Sequence, residues 1–260
     1  MLRPMAWPKV SVIVVTYNRP EMLVEAVNSV LDQTFCDFEV IVVDDGSNTA
    51  TKAIAHLGEK AAERQVGLYV MDMEENSGYN AAPANAALLR SSGSYIAWLD
   101  DDNLWDPEHL DTLVTEIEKM GTDAVYSNWR YASWGEGGKA IAKERGLFNA
   151  VDRPFTPMTH ITAAGLSTGP MCNFIDTSAM LISKAAFVAR MGPKLHNEEI
   201  RRFGDWEFVR TSLTKNLRWR GIDRTTFTYR WHTGNLTLTR DPHPVHAGAM
   251  RQSAGGGAVT

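Results

Sequence analysis

The sequence has 260 residues, of which 44% are hydrophobic, and a formal net charge of −5. This length and apolar content allow one large domain or two small ones, and because no linker-like stretch divides the chain we predict one domain. The acidic balance provides no basic field, which argues against a nucleic-acid partner held by phosphate contacts.

Short apolar runs alternate with helix-like segments through the first half of the chain. Strands are predicted at 10–15, 38–43, 66–71, 95–99 and 124–128. Helices are predicted from Pro20, from a cap at Ser47 or Asn48 to Leu57, at 83–90, and after Asp106, which is expected to be an N-cap. This alternation is typical of βαβ units, so we predict an α/β fold with a mainly parallel, Rossmann-like sheet flanked by helices.

The second half of the sequence is less regular. Segments 135–138 and 154–169 are predicted to be long loops, and we expect the latter to be mobile. Strands are predicted at 178–183 and 226–231, and helices at 184–191 and 205–213. From residue 241 the chain is rich in Gly, Pro and His, so 241–260 is predicted to be a flexible tail.

Carboxylates cluster where two predicted strands end. Asp44 and Asp45 follow one strand, and Asp100, Asp101 and Asp102 follow another. In open parallel sheets, ligands bind outside these strand ends. Adjacent carboxylates repel one another unless a cation lies between them. Oxygen ligands suit Mg²⁺, Mn²⁺ or Ca²⁺, and Mg²⁺ is usually bridged to substrate phosphates. The alternative is a solvated acidic turn that caps the next helix.

Several motifs occur in a specific order along the chain. They are Val10 to Asn18 (VSVIVVTYN), Gln33-Thr34-Phe35, Val42 to Ser47 (VVDDGS), Asn76-Ser77-Gly78 with Asn85, Leu99 to Asn103 (LDDDN), Gly204 to Glu207 (GDWE) and Trp231 to Asn235 (WHTGN). Together they resemble the family-2 inverting glycosyltransferases, which have the Rossmann-like type A glycosyltransferase fold. The chain is similar to the small spore-coat polysaccharide glycosyltransferase branch of that family.

This resemblance implies a nucleotide-diphosphate sugar donor, with UDP or dTDP expected, and Mn²⁺ or Mg²⁺ as cofactor. The donor-binding residues that it implies are Thr16, Tyr17, Arg19, Asp45, Asn76, Asp100 and Asp101. Asp102 would bind the metal, with Asp100 as its partner in the motif, and His232 would complete the metal site or contact the diphosphate. For His232 a purely structural role is equally open.

The resemblance also divides the chain into parts. Residues 1–240 would form the glycosyltransferase domain, with a nucleotide-binding half at 1–129 and an acceptor-binding half at 130–240. Two positions depart from the family pattern, since Ala84 stands where many members carry Arg and Gly204 where Glu is common.

Glycosyl transfer needs a group that removes the proton of the acceptor hydroxyl. Asp205 and Glu207 are the candidates, and because two residues on a helix differ by roughly 200° only one can face the cleft. The resemblance selects Asp205 as the base of an inverting transfer to a hydroxyl of a saccharide, lipid or small molecule. Four tryptophans could stack on an acceptor sugar or pack in the core: Trp105, Trp129, Trp134 and Trp206.

Two alternative functions belong to other classes. A nucleotidyltransferase that forms the activated sugar would usually present a Gly-rich phosphate loop, which segment 16–20 lacks. A non-catalytic carbohydrate-binding protein would need neither Asp102 nor Asp205.

The expected location is the cytoplasm. Cys36 and Cys172 form neither a metal-ligand spacing nor a disulfide framework, which is usual in a reducing compartment. No run approaches the roughly 18 apolar residues that span a bilayer, so no transmembrane segment is expected, although peripheral membrane contact is compatible with the sequence.

Overall fold

The protein forms an eight-stranded mixed sheet flanked by helices, in a computed structural model that describes residues 7–144, 175–194 and 204–235. The strands are β1 (Val10–Thr16), β2 (Phe38–Asp44), β3 (Gly67–Asp72), β4 (Tyr95–Asp100), β5 (Leu104–Trp105), β6 (Ala124–Ser133), β7 (Met180–Ser183) and β8 (Trp219–Trp231). The helices are α1 (Pro20–Leu31), α2 (Ala50–Ile54), α3 (Leu57–Glu63), α4 (Ala81–Arg90), α5 (His109–Met120), α6 (Gly135–Glu144), α7 (Lys184–Met191) and α8 (Gly204–Thr214).

The described strands follow the order β3-β2-β1-β4-β7-β6-β8-β5 across the sheet. Strands β1 to β4 are parallel to one another, as is the β6–β8 pair, whereas β7 is antiparallel to both of its neighbours and β5 is antiparallel to β8. The predicted α/β fold with a Rossmann-like parallel half is confirmed. Strands β5 and β7 make the described sheet mixed.

The central strands are apolar along almost their whole length because helices cover both faces of the sheet. Every residue of β2 is buried, and so are six of the seven residues of β1. Helix α1 begins at Pro20, where the missing N–H costs no hydrogen bond. It buries apolar side chains that recur every three or four positions: Met22, Leu23, Ala26, Val27, Val30 and Leu31.

The helix predicted between Ser47 or Asn48 and Leu57 is in fact two short helices, α2 and α3. The fully buried carboxylate of Asp44 accepts hydrogen bonds from the backbone N–H groups of Ser47, Thr49 and Ala50 at 2.8, 2.7 and 2.9 Å. Burial alone would raise the pKa of Asp44, but these hydrogen bonds outweigh it and lower the pKa. Asp44 therefore braces the start of α2 and takes the place of the expected cap.

The predicted role of Asp106 as a helix cap is wrong. Helix α5 begins at His109, and the carboxylate of Asp106 instead forms a two-pronged ion pair with Arg130, at 2.7 and 2.6 Å. Such a charge-assisted fork is stronger than the neutral hydrogen bond of an N-cap.

The prediction of a loop at 135–138 is also wrong, because these residues form the start of α6. Glycine disfavours helices, yet here it permits close packing. A Cβ atom on Gly138 would lie 2.0 Å from the carbonyl oxygen of Trp231, and one on Gly137 would lie 2.5 Å from the Thr233 side chain. The two glycines thus let α6 lie directly against the end of β8 and the turn that follows it.

None of the helices in the described parts of the chain is long and apolar enough to cross a membrane.

At the opposite edge of the sheet from the carboxyl ends of β1 and β4, Gly93 packs directly on the backbone of β1. A Cβ atom there would lie 2.5 Å from Ser11 N and 2.7 Å from Val10 C. We expect Gly93→Ala to lower the free energy of unfolding by about 3 kcal/mol, as overpacking against buried backbone does. Urea denaturation followed by circular dichroism measures this change.

The matched control is Gly58→Ala in α3, where an added Cβ meets nothing within 4 Å. This variant should be neutral or more stable by up to about 1 kcal/mol, since alanine favours helices. Equal unfolding midpoints for the two variants would show that the contact between Gly93 and β1 is not tight.

Candidate active site

Three neighbouring parallel strands, β2, β1 and β4, end at one edge of the sheet. The register places Thr16 opposite Asp44, and Val15 opposite Asp100. The backbone N–H of Asp45 donates to the Thr16 carbonyl at 2.9 Å. The polar residues that follow these strands are therefore held next to one another by the sheet itself.

Two carboxylates after β4 share one guanidinium. Arg19 Nη1 lies 2.9 Å from Asp101 Oδ1 and 3.0 Å from Asp102 Oδ2, and Thr16 Oγ1 donates to Asp101 Oδ2 at 2.7 Å. Burial, and then the charge of Asp102, raise the pKa of Asp101 to about 6, although Arg19 and Thr16 oppose this effect. The cluster is thus a buried concentration of negative charge that needs a cation beside it.

His232 joins this cluster from the turn that follows β8. Its Nε2 lies 3.0 Å from Asp102 Oδ2, and the Gly234 N–H donates to Nδ1 at 3.1 Å. Because Nδ1 accepts that hydrogen bond, the ring proton is on Nε2 and points to Asp102. Asp102 Oδ2 therefore receives hydrogen bonds from both His232 and Arg19.

Asp100 is held from another direction, by a short 3-10 turn at Thr177–Ala179. Thr177 Oγ1 lies 3.3 and 3.2 Å from the two carboxylate oxygens of Asp100. Ser178 Oγ accepts from the Asp100 N–H at 3.2 Å and from the Asn103 side chain at 2.9 Å. Sequence reasoning missed these two hydroxyl residues, because Thr177 precedes and Ser178 begins the strand predicted at 178–183, and neither belongs to a motif.

Asp45 stands at the end of β2 and is nearly covered, with 4% of its surface exposed. Ser77 donates to both carboxylate oxygens, from its N–H and from its hydroxyl, each at 3.0 Å. Asn76 donates to the Asp45 carbonyl at 3.0 Å and accepts from the Gly78 N–H at 2.7 Å. Burial raises the pKa of Asp45, while the hydrogen bonds from Ser77 oppose the shift. Ser77 was predicted only as part of the Asn76-Ser77-Gly78 motif, without a role in the site.

Aromatic side chains near this edge differ in exposure. Tyr17 is 45% exposed and Trp134 is 36% exposed, and the Trp134 ring meets His232 edge to face with centroids 6.4 Å apart. Trp105 and Trp129 are buried in the core, so neither ring has an exposed face on which a sugar could stack. Among the described residues, Trp134 is the tryptophan beside the carboxylate cluster that has an exposed face.

Arg230 is a functional candidate that sequence reasoning missed. It is 3% exposed, its Nε donates to the Asp102 carbonyl, and its Nη1 pairs with Glu25. The Arg230 backbone N–H donates to the Asn103 side chain at 3.1 Å. This buried arginine fixes the backbone that carries Asp102. It lies on β8, two residues before His232, which is in the turn that follows the strand. No local pattern in the sequence distinguishes it from a surface arginine.

The predicted base lies on α8, at its second residue, Asp205. The side chains of residues 204–206 lie outside the described residues, as do segments 154–169 and 241–260. Glu207 is described, and its carboxylate accepts a hydrogen bond from Thr211 Oγ1 at 2.9 Å, one turn along the same helix. Ala84, at the position where the family pattern often has Arg, is buried on α4.

The described residues contain no group of three or more His, Cys, Asp or Glu side chains arranged to hold a metal ion. Two suitable ligand atoms, Asp102 Oδ2 and His232 Nε2, nevertheless meet at 3.0 Å, and Mn²⁺ accepts carboxylate and imidazole ligands. The guanidinium of Arg19 already places positive charge on this cluster. Two protein ligands are sufficient for a metal that takes its other ligands from substrate phosphates, so the residues fit such a metal.

Comparison with known families gives a match over most of the chain. The sequence profile described as Glycosyl transferase family 2 matches residues 11–187. A putative teichuronic acid biosynthesis glycosyltransferase, TuaG of Bacillus subtilis (strain 168), is 42% identical over 104 residues, which are 40% of this chain and 40% of that protein. The similarity therefore spans less than half the length of this relative.

Solved structures share the fold. The S. aureus TarS 1–349 structure in complex with UDP-GlcNAc has a TM-score of 0.64 at 21% identity, covering 97% of this chain and 68% of that one. The mannosyltransferase PcManGT from Pyrobaculum calidifontis, in complex with GDP-Man and Mn²⁺, has a TM-score of 0.61 at 17% identity, covering 95% of this chain and 65% of that one. At these identities the likeness concerns the fold alone.

Proposed function

The chain belongs to glycosyl transferase family 2 and is a glycosyltransferase, and from this premise we propose that it transfers a sugar, with inversion, from a nucleotide diphosphate to an acceptor hydroxyl with the help of a divalent metal. The observation that carries the proposal is the cluster of Asp101, Asp102, Arg19 and His232 at the strand ends. Buried carboxylates need a compensating cation, and a divalent metal that is bound to a diphosphate can supply it.

We propose Mn²⁺ or Mg²⁺ as the metal, held by Asp102 and His232. When bound, the metal would neutralise charge on the leaving diphosphate as a Lewis acid. The solved structure of the mannosyltransferase PcManGT contains Mn²⁺, which supports a divalent metal in this fold. Arg19 would contact the diphosphate from the β1 side, and Arg230 keeps the Asp102 backbone in place through its bond to the Asp102 carbonyl.

The proposed donor is a UDP- or dTDP-sugar. Asp45 lies at the end of β2 with Asn76 and Ser77 around it, and its carboxylate can accept from a ribose hydroxyl or a pyrimidine N–H. The exposed ring of Tyr17 and the hydroxyl of Thr16 line the neighbouring strand end. The solved structures of TarS in complex with UDP and with UDP-GlcNAc support a uridine donor on this fold.

The proposed acceptor is a hydroxyl of a saccharide, in polysaccharide biosynthesis, which the name of TuaG supports. Asp205, at the start of α8, is the proposed base that removes the acceptor proton. We assign nucleotide binding to 1–129 and acceptor binding to 130–240, with His232 reaching from the second part into the first part's carboxylate cluster. A cytoplasmic location, where nucleotide sugars are made, is part of the proposal.

The test is binding of nucleotides with and without metal. We expect UDP or dTDP, and their sugars, to raise the free energy of unfolding when Mn²⁺ is present, by about 2.7 kcal/mol at 100 times the Kd. Thermal unfolding with UDP, dTDP and GDP, each with Mn²⁺ or with EDTA, measures this, and NMR of the product's anomeric proton reports inversion. Equal stabilisation with Mn²⁺ and with EDTA would contradict metal dependence, and stabilisation by GDP alone would contradict the donor assignment.

A further inference from the structure

Arg19 occupies the place where the proposed metal would bind. Its Nη1 bridges Asp101 Oδ1 and Asp102 Oδ2 at 2.9 and 3.0 Å, and the side chains of the two aspartates are only 5% and 10% exposed. Removing the positive charge from a buried pair of carboxylates leaves their charges uncompensated, which is costly. Arg19 therefore stays on the two carboxylates until another cation takes its position.

A metal ion and Arg19 compete for the same atom. Asp102 Oδ2 accepts from Arg19 and from His232, both at 3.0 Å. A divalent cation on this oxygen would lie within a few ångströms of the guanidinium, and like charges at such distances repel strongly in a partly buried site. Metal binding at Asp102 thus requires Arg19 to move.

Arg19 also fixes the second proposed metal ligand. Its Nη2 donates to the Gly234 carbonyl at 2.6 Å, and the N–H of the same Gly234 donates to His232 Nδ1. Arg19 is thus tied to the turn that holds the His232 ring beside Asp102. When Arg19 leaves, the turn that holds His232 loses its link to the β1–α1 connection.

We propose that Arg19 is a positioning residue that holds the metal site closed until a nucleotide diphosphate arrives and draws the guanidinium onto its own oxygens. The inference rests on the proposed function. A diphosphate and a guanidinium form strong two-pronged hydrogen bonds, so the diphosphate offers Arg19 a better partner than water does. Metal and donor then bind as a pair, because each removes an obstacle to the other.

The experiment measures Mn²⁺ binding directly, by electron paramagnetic resonance of free Mn²⁺, with and without UDP and dTDP. For the wild type we expect Mn²⁺ alone to bind weakly. When nucleotide is present, the Mn²⁺ affinity should rise by about tenfold or more. For Arg19→Met we expect Mn²⁺ alone to bind about tenfold more tightly than it binds the wild type, with little further gain from nucleotide. Nucleotide affinity measured by calorimetry should lose its dependence on Mn²⁺ by the same factor, since coupling is reciprocal.

Two further variants complete the design. Arg130→Met removes an arginine of similar exposure that pairs with Asp106, and it should leave Mn²⁺ affinity unchanged. Arg19→Lys keeps a cation, but a compact ammonium lacks the fork that bridges two carboxylates and a carbonyl, so an intermediate Mn²⁺ affinity is expected. If Arg19→Met does not fold, Arg19→Lys alone decides, and wild-type values for it overturn the proposal.

The outcomes separate this inference from the proposed function. Nucleotide-dependent Mn²⁺ binding that is the same in the wild type and in Arg19→Met overturns the role of Arg19 and leaves metal-dependent transfer standing. No Mn²⁺ binding to the wild type under any condition overturns both. A gain in Mn²⁺ affinity that is equally large in Arg130→Met shows a general charge effect and also overturns the role of Arg19.

Discussion

Replacing Asp102 with Asn will abolish the contribution of Mn²⁺ to UDP or dTDP binding and lower turnover by about 10³-fold. The Asp102 carboxylate supplies the oxygen on which Arg19 and His232 converge, and an amide there carries no charge to hold a divalent cation. A metal that neutralises a leaving diphosphate is worth several kcal/mol in the transition state, and about 4 kcal/mol corresponds to this loss. Calorimetry of nucleotide binding with Mn²⁺ or EDTA, together with donor turnover, measures the effect.

The fold of Asp102→Asn should survive, because Arg19 keeps its bond to Asp101 and Arg230 bonds to the backbone carbonyl of residue 102. Asp106→Asn is the matched control, since it weakens an ion pair with Arg130 outside the carboxylate cluster and should keep turnover near that of the wild type. If Asp102→Asn binds nucleotide as tightly as the wild type both with and without Mn²⁺, Asp102 is not the metal ligand.

Asp205→Asn should cut turnover by about 10²-fold or more while nucleotide binding stays nearly unchanged. A base acts on the attacking acceptor hydroxyl and has little part in holding the donor, so its loss lowers kcat and leaves donor affinity intact. Steady-state kinetics with a saccharide acceptor, beside calorimetry of UDP or dTDP binding, separates the two quantities.

Glu207→Gln is the control for Asp205→Asn and should cost much less. The Glu207 carboxylate accepts from Thr211 on its own helix, so it is engaged along α8. Gln keeps an oxygen for that hydrogen bond. A nearly wild-type Asp205→Asn together with an inactive Glu207→Gln would move the base to Glu207 and show that Gly204 has changed the register of the motif.

The sequence predicted the parallel half of the sheet because its signals are local. Runs such as Val10 to Val15 are apolar at every position except Ser11 and end in polar residues, which is typical of a buried parallel strand and its ligand-binding end. The family resemblance and the α/β fold followed from the order of such segments, and both are confirmed.

The contacts between side chains could not be predicted in the same way. Thr16 and Asp101 are 85 positions apart, and Asp102 and His232 are 130 positions apart, so their pairing depends on the order of strands in the sheet. Asp106 was a plausible cap by local chemistry, but a distant arginine provides a stronger partner. The glycines at the start of α6 predicted a loop because glycine has poor helix propensity, but tertiary packing outweighs that propensity here.

The hydrogen bond between Arg19 and the Gly234 carbonyl joins residues that are 215 positions apart. During synthesis the ribosome releases β1 to β4, and with them the carboxylates and Arg19, long before the turn that follows β8. The nascent chain therefore contains Arg19, Asp101 and Asp102 before it contains His232 or Gly234. Arg19 is thus present as a counterion for the two carboxylates from the start, whereas the imidazole and the carbonyl group that complete these contacts are synthesised last.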